Sequence, residues 1–179
     1  KGEIIAKERQ NMVDDVDRTI ASIALGALNY YLLQVSPTKD MIFNPSESIS
    51  FNGNTGPYLQ YMGARISSML AKYEEQASSA KDLDFDPSLL SLSDERELIR
   101  QLALYGEVVE KAGSQYDPSL LCSYLYDLSK LFSRWYHDNP VLKAGSERLV
   151  RARIELVKMS LQVLKNAFSL IGIPFLSAM

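Results

Sequence analysis

The chain has 179 residues, of which 46% are hydrophobic, so one domain with a buried core is expected, and its single cysteine excludes an internal disulfide framework. It contains no early apolar run of signal-peptide shape and no stretch of eighteen uninterrupted apolar residues, which argues against membrane insertion and predicts a soluble, cytoplasmic protein. The net charge of −3 disfavours a uniformly basic nucleic-acid binder, but residues 130–165 carry eight basic and three acidic side chains, so a local polyanion-binding surface and a merely solvated helix face both stay open.

The first predicted element is a long helix followed by an irregular connection. From Asp14 to Leu33 the apolar residues recur at intervals of three and four, which is typical of a helix with one broad buried face. Residues 37–56 contain two prolines, two glycines and clusters of Asn and Ser, and such residues predict loops. Two short apolar pieces at 41–43 and 49–51 favour two short strands within this connection.

The middle of the chain predicts two further helices. Thr55 is suited to cap a helix over residues 56–76, which has a proline in its first turn. Residues 77–92 predict a loop. A third long helix is predicted over residues 93–112, because Ser93 suits its cap and the acidic residues that follow suit the positive end of a helix dipole.

Two more helices with clear start and stop signals complete an all-α class. Asp117 and Pro118 open a helix whose apolar residues follow a 3.6-residue period, and Asn-Pro at 139–140 ends it. The last helix is predicted over residues 146–172, since a glycine and then a proline stand at its end. We therefore predict a bundle of about five long helices with an irregular connection at 37–56.

The last predicted helix has a cationic side opposite its apolar stripe. Four of the six polar side chains on that side are basic, and they are the candidates for contacts with phosphate groups: Arg148, Arg151, Lys158 and Lys165. Arg153 falls inside the apolar stripe instead. A cation buried there is costly without a partner, so we expect Arg153 to pair with a carboxylate or with backbone carbonyls.

The sequence contains no constellation suited to catalysis. His137 has neither a second histidine nor a cysteine with which to share a metal, so we interpret it as a surface residue and predict no metal site. Cys122 lies among apolar residues of a helical pattern, which favours a buried, unreactive thiol. We therefore predict no catalytic residue in this chain.

One segment is specific enough to indicate a family. Residues 51–65 read Phe-Asn-Gly-Asn-Thr-Gly-Pro-Tyr-Leu-Gln-Tyr-Met-Gly-Ala-Arg. This run resembles arginyl-tRNA synthetases, and so do Gly26-Ala27-Leu28-Asn29-Tyr30 and the block that ends in Trp135-Tyr136. The block Ile42-Phe43-Asn44-Pro45 is similar to a Phe-Asp-Trp block of the family, although Pro45 stands in place of the usual tryptophan. The resemblance covers nearly the whole chain and implies the all-helical, DALR-type anticodon-binding domain of the family.

The resemblance also implies a set of RNA-binding residues. In the family, the tyrosine and arginine of a Tyr-x-x-x-Arg element face the anticodon loop, which points to Tyr61 and Arg65. A second anticodon tyrosine corresponds to Tyr136, and the terminal methionine beside the central anticodon base corresponds to Met179. Trp135 is expected in the core. Tyr61 and Arg65 are one helical turn apart, so they share a face on which an unstacked base can be held.

A loop before the Tyr-x-x-x-Arg helix is implied to respond to tRNA. It comprises five residues, of which the second replaces the more usual acidic residue: Phe51, Asn52, Gly53, Asn54 and Thr55. Its glycine suits a loop that changes shape. A purely structural turn remains the alternative for this segment.

The resemblance implies that tRNA recognition and catalysis lie in different parts of a longer protein. The intact enzyme would join L-arginine to tRNA(Arg) using ATP and Mg²⁺, with its catalytic motifs upstream of Lys1. Lys-Met-Ser-Leu at 158–161 imitates a class I synthetase loop, but it lies mid-helix and lacks the second lysine. We expect residues 1–179 to form one monomeric domain that is inactive alone, with 1–76 adjoining the catalytic domain and 93–179 forming a three-helix part with the basic face.

Two other functions stay open at this point. One is the homologous domain of a cysteinyl or another class I synthetase, which the unbroken run at 51–65 disfavours. The other is a helical protein-interaction scaffold without RNA binding, for which the acidic segment 66–129 would be natural. Binding of tRNA over a salt series separates these classes.

Overall fold

The computed structural model describes residues 16–76 and 83–179, which fold into helices without any strand. Seven α-helices and one 3-10 helix occur in these ranges, in the order α1 Val16–Leu33, α2 Pro45–Ser48, α3 Gly56–Gln76, the 3-10 helix Pro87–Leu89, α4 Ser93–Ala103, α5 Tyr105–Gln115, α6 Ser119–Asp138 and α7 Glu147–Leu170. The predicted all-α class is confirmed. Positions 1–15, which include the predicted start of the first helix, and positions 77–82 of the predicted loop lie outside the described residues.

The two short strands predicted in the first connection are wrong. Residues 41–43 and 49–51 are irregular, and the four-residue helix α2 lies between them. The Asn44 side chain accepts a hydrogen bond from the backbone N–H of Glu47, and Pro45 occupies the first turn. Phe43 packs its ring against Tyr31 at 5.2 Å. At 44–45 the Asn side chain and the proline thus form a helix start, and a short apolar piece without a neighbouring strand has no ladder to join.

The predicted third long helix is divided in two at Leu104. Helix α4 ends at Ala103 and α5 begins at Tyr105, and both pack against α6. At the end of α4 the carbonyl of Gln101 accepts a hydrogen bond from the Tyr124 hydroxyl of α6 at 3.0 Å. The apolar period continues through the break, so periodicity alone does not reveal it.

The signals for helix starts are mostly confirmed. The Thr55 hydroxyl accepts from the N–H of Tyr58 at 3.3 Å, and the Ser146 hydroxyl accepts from that of Leu149 at 3.2 Å. The predicted Ser93 cap is wrong, because Ser93 lies inside α4. The Glu95 carboxylate accepts from the backbone N–H of Leu92 instead, at 3.0 Å.

The core lies between α3, α6 and α7, with α1 and α4 packed against it. Its largest fully buried side chains include Trp135, Phe132, Phe168 and Tyr30, so the prediction that Trp135 is a core residue is confirmed. Cys122 is also buried, and desolvation by burial, reinforced by the charge of Asp117, raises the pKa of its thiol to about 12. No described helix has the combination of length and apolar character that crossing a bilayer requires.

The buried arginine on α7 has the partner that the sequence predicts. Arg153 Nε donates to Glu95 Oε1 at 2.8 Å, and the two side chains are 8% and 0% exposed. Glu95 therefore makes two contacts, since its other carboxylate oxygen accepts a hydrogen bond from the backbone at the start of α4. The pair fixes α4 against α7.

Glycines and one glutamine bring α1, α3 and the last segment together. A Cβ on Gly56 would lie 2.3 Å from the carbonyl oxygen of Gly26, so Gly56 is needed for the two helices to cross this closely, and a Cβ on Gly26 would lie 2.7 Å from the Gln60 side chain. The Gln60 side chain donates to the carbonyls of Ser22 and Pro174, at 3.1 and 2.8 Å. The chain after α7 is thereby placed along α3.

Candidate nucleic-acid interface

A groove of about 600 Å³ runs along one side of α3, and we call it the α3 groove. Its walls come from three separate parts of the chain, namely α3, the end of α6 with the residues after it, and the last segment. The lining residues are Tyr61, Ala64, Arg65, Ser67, Ser68, Met69, Ala71, Lys72, Tyr136, Leu142, Ser177, Ala178 and Met179. All four residues that the resemblance implies for anticodon contact therefore line one groove.

Helix α3 supplies the first two of these residues. Tyr61 and Arg65 are one turn apart, and 39% of the Tyr61 surface is exposed. The opposite face of the same helix is buried, with Leu59, Met62 and Ile66 in the core. The helix therefore holds Tyr61 and Arg65 on a rigid support with their side chains turned to the groove.

Tyr136 meets Arg65 across the groove. The guanidinium carbon of Arg65 lies 4.8 Å from the centre of the Tyr136 ring, a distance suited to a cation–π contact. The Tyr136 ring also stacks on Phe132, with 6.2 Å between the centres and 16° between the planes. Phe132 is buried, so the stack fixes Tyr136 to the core while its edge borders the groove.

The last segment reaches the groove because the aromatic packing of Phe175 adds to the hydrogen bond that Gln60 donates to the Pro174 carbonyl. Phe175 sits against Gly63 of α3, where a Cβ would lie 2.9 Å from the ring, and its ring is 6.4 Å from that of Phe168. Residues 177–179 then follow α3, and Met179 lies half-buried in the groove. A residue far from Tyr61 in sequence thus becomes its neighbour.

The loop predicted to respond to tRNA lies beside the start of α3, outside the α3 groove. Thr55 donates to the Ser50 carbonyl at 2.6 Å, and Gly53 has a φ of +86°, which favours glycine. Asn54 Oδ1 accepts from the Tyr30 hydroxyl at 2.5 Å, and the same hydroxyl is 3.0 Å from the Cys122 carbonyl of α6. The loop is therefore fixed to the helix core through Tyr30.

This loop borders a cavity of its own, separate from the groove. Its volume is about 460 Å³ and it is lined by Ser46, Ile49, Ser50, Phe51 and Asn52. Phe51 and Asn52 are thus exposed to it, while Gly53, Asn54 and Thr55 form the turn into α3. The loop leads directly into α3, and Tyr61 lies about 7.5 Å along the helix axis from Gly56 at 1.5 Å per residue.

The four cations predicted on α7 do not line the α3 groove. Arg148 lies 3.8 Å from Asp86, and Lys158 donates to Glu155 at 3.1 Å. Arg151 also pairs with Glu155, and it donates to the Leu83 carbonyl at 3.2 Å. Lys165 lies over the Phe175 ring at 4.6 Å. Three of the four are thus engaged with carboxylates of the same chain.

The shared carboxylate on α7 is kept ionised by its partners. Partial burial raises the pKa of Glu155, but hydrogen bonds from Lys158 and Arg151 lower it more, so the net pKa lies below its ordinary value. The single charge of Glu155 therefore offsets about half of the combined Arg151 and Lys158 charge at neutral pH.

The sequence analysis missed two features of the interface. Lys72 lies in the α3 groove two turns beyond Arg65. Positions 61, 65, 68 and 72 recur at intervals of three and four, so helical spacing could have predicted that Lys72 shares a face with Arg65. A second cavity, of about 380 Å³, which we call the α3/α6 cleft, adjoins the groove at Arg65. It is lined by Tyr58, Arg65, Lys130, Ser133, Arg134 and His137. His137 is exposed, as predicted.

Comparisons with known proteins agree on one family. The family model of the DALR anticodon binding domain matches residues 59–179. Arginine–tRNA ligases of Treponema pallidum and Treponema denticola are 48% and 50% identical over 99% and 96% of this chain. A solved arginyl-tRNA synthetase of Thermus thermophilus covers 99% of it with a TM-score of 0.84 and 29% identity. The chain spans 29–30% of the length of these three proteins.

Proposed function

The chain belongs to the DALR anticodon binding domain family, and from that premise we propose that it binds the anticodon stem-loop of an arginine tRNA through the α3 groove. The observation that carries this proposal is the meeting of Tyr61, Arg65, Tyr136 and Met179 in that groove. Two aromatic rings, a guanidinium and a thioether around one cavity are suited to an unstacked base. Single-stranded RNA is recognised in this way, by stacking and by hydrogen bonds to base edges.

Each lining residue has a distinct part in the proposed mechanism. Tyr61 is partly exposed and offers a ring on which a base stacks. Arg65 is close enough to Tyr136 to move between that ring and the edge of a base. Met179 gives an apolar wall that adapts its shape. Because Tyr136 is held by Phe132, the site is partly ordered before RNA arrives, which lowers the entropic cost of binding.

We propose that the base in the groove is the C at the middle anticodon position, which all arginine tRNAs share. Cytosine and uracil have the same shape but opposite donor and acceptor groups at one edge. A buried site built for one of them leaves groups unpaired with the other, which gives strong discrimination. Arg65 carries donors only, so it suits the N3 acceptor of cytosine, which is an N–H donor in uracil.

The wider activity is proposed for the longer protein of which such a domain is a part. The relatives named above are arginine–tRNA ligases, so we propose that this domain serves attachment of L-arginine to tRNA with ATP and Mg²⁺. Among residues 16–76 and 83–179 no group of three His, Cys, Asp or Glu side chains is placed to hold a metal ion. The described residues therefore have the role of recognition in this proposal.

The proposal is tested by measuring the affinity of the chain for a fluorescent anticodon stem-loop and for the same RNA with the middle C changed to U. We expect the wild type to prefer the C loop. Met179→Ala and Tyr61→Ala should reduce that preference, because these side chains hold the base where Arg65 meets its edge. Tyr61→Ala should also weaken binding of the C loop, since stacking on an aromatic side chain contributes on the order of 1–3 kcal/mol. Met159→Ala is the matched control, because Met159 is exposed on α7 away from the groove.

Two outcomes would contradict the proposal. One is a wild type that binds both loops equally. The other is an unchanged preference in both groove variants while circular dichroism shows that they remain folded. Trp135→Phe serves as a second control, since it disturbs core packing next to Tyr136 and should leave the preference intact.

A further inference from the structure

The α3/α6 cleft contains a stripe of polar residues on α6. Lys130, Ser133, Arg134 and His137 are spaced at three, four and seven residues, so they lie on one face of the helix. Tyr58 and Arg65 of α3 form the opposite wall. The cleft thus combines up to four cationic side chains with two hydroxyl groups, and it shares Arg65 with the α3 groove.

The cations of this cleft differ from those of α7 in their partners. Among the described residues, no ion pair involves Arg65, Lys130 or His137. Arg134 does pair, with Glu97 at 2.9 Å, but its side chain is 56% exposed. Exposed pairs are weak and exchange with other anions. The cleft therefore offers charges that this part of the chain does not neutralise.

Aromatic rings hold the cleft in shape. The Lys130 ammonium lies 5.3 Å from the centre of the Tyr126 ring, and Tyr126 makes an edge contact with Tyr58 at 6.0 Å. Burial raises the pKa of Tyr58, so its phenol remains protonated and able to donate at neutral pH. Lys130 is thus oriented by an apolar surface rather than by a carboxylate.

We propose that the α3/α6 cleft binds the phosphodiester backbone of the RNA loop whose base occupies the α3 groove, with Lys130 as the principal phosphate contact and Arg65 between the two sites. This inference rests on the proposed function. Cationic and hydroxyl donors match phosphate oxygens, and a backbone leaving a base at Arg65 passes directly into the cleft. This proposal places the phosphate contacts on the cleft, whereas the sequence analysis predicts them on α7.

The test compares two matched lysines. Lys130→Gln and Lys158→Gln each remove one positive charge from an α-helix, but only Lys158 is paired with a carboxylate. Affinity for the anticodon stem-loop is measured over a salt series. Each phosphate contact contributes about 0.7 to the slope of log K against log salt for a single strand, so Lys130→Gln should lower the slope by about that amount. Lys158→Gln should leave it unchanged, and Lys130→Arg should restore it.

A second readout distinguishes a contact from an indirect effect. Reductive methylation of the wild-type chain, analysed by mass spectrometry, should show Lys130 protected by the stem-loop and Lys158 equally modified with and without RNA. Discrimination between the C and U loops should be the same in Lys130→Gln as in the wild type, because phosphates carry no sequence information.

The outcomes separate this inference from the proposed function. If the wild type discriminates the loops but Lys130→Gln keeps its full salt slope, or Lys158→Gln loses as much, the cleft assignment is overturned and the groove assignment stands. If the wild type binds neither loop or binds both equally, the proposed function is overturned, and the inference with it.

Discussion

The cations of α7 and those at the contact between α3 and α6 differ in what neutralises them. On α7, Arg153, Arg151 and Lys158 donate to carboxylates of the same chain at or near the surface of the core. Between α3 and α6, Arg65 and Lys130 lie over tyrosine rings at 4.8 and 5.3 Å. A cation paired with a buried carboxylate, as Arg153 is with Glu95, is already balanced, whereas a cation held by a ring keeps its charge for a ligand.

This comparison shows what a count of charges along the sequence leaves out, namely the partner of each cation. The segment 130–165 is the most basic part of the chain, yet on α7 Arg153 pairs with Glu95 of α4 and Arg151 pairs with Glu155 of the same helix. The proposed RNA surface uses fewer cations, placed beside aromatic side chains. The following predictions test how far this distinction holds.

The largest expected effect concerns the buried pair on α7. Arg153→Met leaves the Glu95 carboxylate buried without its partner and should lower the free energy of unfolding by about 3–5 kcal/mol, measured by urea denaturation. Adding Glu95→Gln should recover part of this loss, since the amide is neutral and its oxygen still accepts from Leu92 N–H. Lys130→Met should stay within about 0.5 kcal/mol of the wild type. Equal losses at Arg153 and Lys130 would remove the distinction between the two regions.

The next effect concerns Arg65, where the groove and the cleft meet. Arg65→Gln should weaken binding of the C loop by about 1.5–3 kcal/mol, the range of hydrogen bonds to charged groups. It should reduce both the preference over the U loop and the salt slope, as seen in the same titrations. Of these two quantities, Met179→Ala should change only the preference for the C loop, and Lys130→Gln should change only the slope of log K against log salt. An Arg65 variant that changed neither quantity would show that the two cavities do not share a ligand.

A smaller effect is expected at the uncharged hydrogen bonds of Tyr30 in α1, which join the loop before α3 to α6. The Tyr30 hydroxyl lies between Asn54 and the Cys122 carbonyl, so Tyr30→Phe should lower the free energy of unfolding by about 0.5–1.5 kcal/mol. Tyr31→Phe is the control, because its hydroxyl bond to Ile42 is exposed. Both variants are compared by urea denaturation. Equal losses in the free energy of unfolding would show that the buried Tyr30 hydrogen bonds stabilise the fold no more than the exposed Tyr31 bond does.

The smallest effect concerns the weakest pair of α7. The pKa of Asp86 lies below its ordinary value, first because of hydrogen bonds from Ser88 and only lastly because of Arg148. A lowered carboxyl pKa stabilises the fold above the unfolded-state pKa, and this contribution is lost as pH falls through the folded-state pKa. In an NMR titration, Ser88→Ala should therefore raise the Asp86 pKa more than Arg148→Gln does. The reverse order would identify Arg148 as firmly paired.

Local signals predicted most helices well and missed features that depend on neighbours. The caps at Thr55 and Ser146 and the ends of α6 and α7 follow from side chains next to them in sequence. The break at Leu104 does not, because Tyr124 reaches it from another helix. The strands predicted at 41–43 and 49–51 failed for the same reason, since a strand needs a partner that this fold does not provide.

The sequence by itself determined the helical class and the family, because apolar period, capping residues and the run at 51–65 are all properties of contiguous residues, and the resemblance pointed to four of the groove residues. Only the tertiary structure decided which of these residues meet. Gln60 and Phe175 place the last segment, which ends in Met179, along α3, and Glu155 pairs with both Arg151 and Lys158 on α7. Coulomb interactions and stacking depend on distance in space, so whether a cation is balanced or free for a ligand is fixed by packing.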